Sequence, residues 1–117
     1  MRRDRAIEVA FIEAAARGER AFIEHVAARL EAGQELYGDQ WRGRGVAELV
    51  GELLEEAADV GAWSALTLQA VDLEPLADAD RLRLGALLTV AVQHAAGAHA
   101  ALCSARALLA ARGEVVR

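Results

Sequence analysis

Five carboxylates, Glu48, Glu52, Glu55, Glu56 and Asp59, lie within twelve residues of one alanine- and leucine-rich stretch. At roughly 100° per residue on an α-helix they share an arc of about 100°. Hard oxygen donors held so close can bind a divalent cation such as magnesium, and a spare carboxylate can orient or deprotonate a water. A solvated face is the ordinary alternative, because Leu49, Val50, Leu53, Ala57 and Val60 form an apolar face elsewhere on the same helix. Two features favour chemistry. Toward the C-terminus the same arc runs into Trp63, Leu66 and Ala70, so the acids are expected to point toward something that becomes core. On the preceding helix Glu24, Glu31 and Glu35 fall within about 40° of one another, with no arginine at i±3 or i±4 of Glu31 or Glu35. Two acidic stripes on adjacent helices repel unless a cation lies between them.

Between the two stripes, Tyr37 to Gly45 holds three glycines in nine residues and no periodicity, which marks the main connection. Arg42 and Arg44 in it could meet phosphates with fork-like donors, or be solvated loop charge. Tyr37 and Trp41 could stack on a base, or pack the loop against the helices.

The elements that must position these groups are helices. Aromatics are 4%, and Pro75 is the single proline, a composition that supports long helices and gives little to strands. Helices are expected over about Asp4–Arg17 and Glu19–Leu36, which could join as one kinked helix. A third is expected over Val46–Val71, and a fourth from Asp78 or Asp80, acting as caps, to near Gly113. The 117 residues allow one domain, 1–117. Leu84 to Ala105 contains no Asp, Glu, Lys or Arg. Its alanine content, with Gln93, His94 and His99, favours a buried bundle helix over a membrane span. In so small a domain, that helix is expected to be covered at a subunit interface.

Composition excludes several chemistries. All thirteen cations are arginine, which removes Schiff-base and phosphate-loop lysines. Cys103 is the only cysteine and is expected to be a small buried hydrophobe. Ser64 and Ser104 are the only serines, neither in a nucleophile turn. His94 and His99, five apart, cannot be an i,i+4 metal pair. A net charge of −5 disfavours a nucleic acid polymer as partner. The basic start is followed by a stretch broken by Glu8, Glu13 and Arg17, so no signal peptide is expected, and a cytoplasmic location is.

Glu55-Glu56-Ala-Ala-Asp59-Val60 with Trp63 resembles the Glu-x-x-Asp helix of the all-α, MazG-like nucleoside triphosphate pyrophosphohydrolases. Tyr37-Gly38-Asp39-Gln40-Trp41 resembles the Tyr-Gly-Asp-x-Trp segment of short, phage-type relatives. The resemblance covers about Glu24 to Leu68. It implies a four-helix bundle completed by oligomerisation, as a homodimer or homotetramer. It also implies a nucleotide substrate cleaved between its α and β phosphates, and Mg2+, or alternatively Mn2+, held by carboxylates of two helices. Glu56 and Asp59 match the second ligand pair. The first pair is normally Glu-x-x-Glu, whereas here Glu31 is followed by Gln34 at that spacing and Glu35 stands one residue on. Glu31 and Glu35 are therefore the expected first pair, with Glu52 or Glu55 as the base and Tyr37, Trp41, Arg42 and Arg44 as substrate contacts. No membrane partner is expected. The competing expectation is a non-catalytic helical assembly protein on the same scaffold, which the Gln34 departure favours.

Overall fold

The computed structural model describes residues 3–38 and 40–113, the side chains of residues 3, 4, 41 and 42 excepted. All regular structure among them is helical: α1 (Arg3–Ala15), α2 (Arg20–Tyr37), a 3₁₀ turn (Gln40–Gly43), α3 (Val46–Leu73) and α4 (Asp78–Ala111). The chain divides into two compact units, Met1–Gly43 and Arg44–Arg117.

In the first unit α1 and α2 form a helical hairpin. Arg17 (φ 53°) and Gly18 (φ 81°) both take left-handed backbone. Two such residues in succession end α1 outright, so α1 and α2 are separate helices. Gly38 (φ 61°) ends α2 and returns its N–H to the Gln34 carbonyl. The centre of the hairpin is small: among the described residues Ile23 is its one buried apolar side chain, and it is joined by Arg5.

In the second unit α3 and α4 pack antiparallel. Ala47, Val50, Gly51, Leu54, Ser64 and Val71 are the buried residues of α3, and at roughly 100° per residue they lie on the side opposite the five acids. Small residues allow close approach in the middle, where Ala57, Ala58 and Gly61 face Val92, Ala95, Ala96 and His99 across a shallow groove of about 300 Å3. The connection is held by Arg81, which donates to the carbonyls of Val71 (3.0 Å), Leu76 (3.2 Å) and Glu74. It thereby ties the last turn of α3, through Val71, to the two loop carbonyls that follow it. Ala77, not an aspartate, is the N-cap of α4, and no side chain caps it. Asp78 and Asp80 lie instead in the first turn, where the positive end of the helix dipole favours them.

The expectation of a buried fourth helix is not met within one copy. α4 has no buried residue. Its unit offers it one neighbouring helix, and a helix apolar nearly all round cannot be covered from one side.

Candidate functional site

The expected ligands divide between the units, Glu31 and Glu35 on α2 and Glu56 and Asp59 on α3.

On α2 the Glu31 carboxylate is engaged. Arg5 reaches from α1 and donates its Nε to Glu31 Oε1 at 2.6 Å, its Nη1 to Glu8 and its Nη2 to the Leu30 carbonyl at 2.8 Å. Arg5 is only 6% exposed, so its charge is almost removed from water and depends on these acceptors. Glu31 is thus neutralised across the hairpin, by a cation that spacing along α2 does not reveal. Glu35 is exposed, and Gln34 is half-buried.

On α3 the stripe has two parts. At its N-terminal end Arg44 donates Nε to Glu48 (3.1 Å) and Nη2 to Glu52 (2.8 Å). The bonds to Glu52 and then Glu48 raise the Arg44 pKa above its ordinary value. The arginine expected on substrate phosphate is therefore on the acids here, at i,i+4 and i,i+8, and one expected base, Glu52, carries an ion pair. One turn further along, Glu55, Glu56 and Asp59 are exposed on the side of α3 away from α4. No arginine among the described residues forms an ion pair with any of the three. The apolar continuation of the stripe does not become core: Trp63 is 68% and Leu66 53% exposed. The burial inferred for the acids from those two residues is thus absent within this unit, because the packed face of α3 is the opposite one.

Tyr37, at the end of α2, is exposed. The side chains of Trp41 and Arg42 lie outside the described residues, as does Asp39. Among the described residues no group of three or more His, Cys, Asp and Glu side chains converges to hold a metal.

Cys103 is half-exposed rather than buried. Its Sγ lies 3.6 Å from His99 Nδ1 and 3.6 Å from Arg106 Nη2, neighbours at i−4 and i+3 that helical spacing shows directly.

Set against known families, characterised proteins and solved structures, the chain matches no family model, no characterised protein and no solved structure.

Proposed function

We propose that this chain is a cytoplasmic, magnesium-dependent nucleotide pyrophosphohydrolase of the MazG-like type, which cleaves a (deoxy)nucleoside triphosphate to the monophosphate and pyrophosphate. The observation that carries the proposal is the open face of α3, where Glu55, Glu56 and Asp59 crowd within five residues with no arginine partner among the described residues. Unpaired like charges at i,i+4 cost stability on a helix, and a hard cation relieves that cost. The donor set fits such a cation. Glu56 and Asp59, at i,i+3, can present oxygens to one ion, and magnesium needs few carboxylates because it keeps waters and takes phosphate oxygens. Glu31 and Glu35 are the further ligands that the family resemblance supplies, with manganese as the alternative ion.

Magnesium held by Glu56 and Asp59 would supply charge neutralisation at phosphate oxygens and a more acidic water. The chain's own groups do the rest. Glu55 holds a water and takes its proton as the water oxygen adds to phosphorus, while the bond between the α and β phosphates breaks and pyrophosphate leaves. Glu52 can serve instead only when Arg44 lets go of it, and a substrate phosphate is the natural competitor for that guanidinium. Arg42 assists on the outer phosphates, and Tyr37 and Trp41 stack on the base.

Magnesium titration against a panel of nucleoside triphosphates tests the proposal. Pyrophosphate release should require the metal and fall by about 100-fold or more in both Glu56→Gln and Asp59→Asn, the order seen when one charge-stabilising group is lost. The absence of release from any nucleotide, together with no metal-dependent thermal stabilisation, would sink it.

A second reading, a non-catalytic homodimeric or homotetrameric assembly protein, is favoured by the absence of any buried residue on α4. Both readings leave out nucleic acid polymers and membranes as partners. A stable oligomer with no release in the same assay would select the second.

A further inference from the structure

Little apolar contact holds α1 against α2. Among the described side chains of α1 only Arg5 is buried, while the large apolar side chains Ile7 (63%) and Phe11 (68%) are exposed. Helices in proteins normally draw their stability from a packed apolar face. α1 instead depends on the polar contacts of one side chain. Two of these cross to α2, from Arg5 Nε to Glu31 Oε1 at 2.6 Å and from Nη2 to the Leu30 carbonyl at 2.8 Å.

Glu31 is also one of the two α2 acids that the family resemblance makes a metal ligand. Its side chain is 60% exposed, so a cation can reach the carboxylate from solvent. A cation arriving there meets the Arg5 charge. Arg5 occupies one carboxylate oxygen, and a divalent ion on the other lies about 5 Å from the guanidinium. At that separation charges of +2 and +1 repel enough to weaken binding about tenfold, even at the dielectric of water.

We propose that Arg5 and a divalent cation exclude one another at Glu31, so that α1 is a strap which withholds this acid from the metal and which metal binding releases. The proposal rests on the magnesium reading above and adds its regulation. The coupling is reciprocal: by the factor that the strap weakens metal binding, the metal weakens the strap. Once Arg5 leaves Glu31 and the Leu30 carbonyl, few apolar contacts remain to keep α1 in place. An arginine that steadied Glu31 for the metal would act with the opposite sign, since its removal would weaken binding.

Metal alone, without nucleotide, tests the strap. Free Mn2+, counted by its electron paramagnetic resonance signal at fixed ionic strength, gives the affinity of the wild-type chain, Arg5→Met and Arg5→Met/Glu31→Gln. Arg5→Met should bind about tenfold more tightly, and the double variant should lose that gain, because the gain passes through Glu31. In the unaltered chain, trypsin cleavage after Arg5 requires this residue to leave its place and α1 to open locally. Saturating Mn2+ should quicken that cleavage about threefold or more, and Glu31→Gln should abolish the response. The cleavage assay stands even where Arg5→Met perturbs folding. Equal or weaker binding by Arg5→Met, a gain that survives Glu31→Gln, or cleavage that Mn2+ slows or leaves unchanged would each overturn the strap and leave the magnesium reading intact. No binding by any of the three chains would bring down both.

Discussion

Arg5 and Arg44 do the same thing in different surroundings. Each spreads one guanidinium over two carboxylates, Arg5 over Glu8 and Glu31, Arg44 over Glu48 and Glu52. Arg5 joins two helices and is almost fully buried. Arg44 bridges successive turns at the start of one helix with its side chain 39% exposed. Burial strengthens a charge pair and makes the loss of either partner expensive, whereas water and salt screen an exposed one. Arg5 is therefore a structural clamp, and Arg44 a latch that a competing anion can open.

The largest effect belongs to the clamp. Arg5→Met keeps the apolar stem but leaves Glu31 unpaired and the Leu30 carbonyl without its guanidinium donor. It should cost about 2 kcal/mol, less than a fully buried pair because Glu31 is 60% exposed. The urea midpoint should fall without a change in slope. Glu31→Gln should cost less, about 1 kcal/mol, because an amide oxygen still accepts from Arg5. The same variant separates two roles for Glu31: a ligand loses pyrophosphate release when changed, whereas a clamp partner loses only stability. Arg44→Gln should have the smallest effect on stability, with an unfolding midpoint indistinguishable from wild type in 0.5 M salt, roughly a 4 Å screening length. It should nonetheless enlarge the thermal stabilisation by magnesium, since Glu48 and Glu52 then join Glu55, Glu56 and Asp59 as acids with no arginine partner among the described residues. An unchanged magnesium response would disconnect the latch from the stripe.

Helix positions were legible in the sequence because they follow from periodicity and breakers. α1 ends at Ala15, two residues before the expected Arg17, and α3 begins at Val46 as expected. The cap of α4 was not. Asp78 and Asp80 are good caps, but the chain leaving Pro75 becomes helical after Ala77, which places both aspartates inside the first turn. The acid stripe was legible as a stripe, while its pairing was legible only in part. Arg44 and Glu48 are four apart, a spacing visible in the sequence, yet a glycine-rich neighbourhood made Arg44 a phosphate donor in the reading. The pairing of Arg5 with Glu31 was illegible in principle, since the two lie twenty-six residues apart. Arginine is rarely buried, so nothing local marks this one. The exposure of Trp63 and Leu66 was misjudged for a related reason: periodicity tells which residues share a face, and only packing tells which face is covered.

The tertiary packing described joins helices adjacent in sequence, α1 with α2 and α3 with α4. Loops of a few residues close both hairpins, so the entropy lost in bringing the partners together is small and each should form within microseconds to milliseconds. A chain built this way acquires its helices before it acquires cover for α4. If α4 is completed by a second copy, the last event of assembly is second order in protein. Refolding followed by a reporter at the α4 face should then quicken in proportion to concentration, while the helical signal recovers at a rate that dilution leaves unchanged.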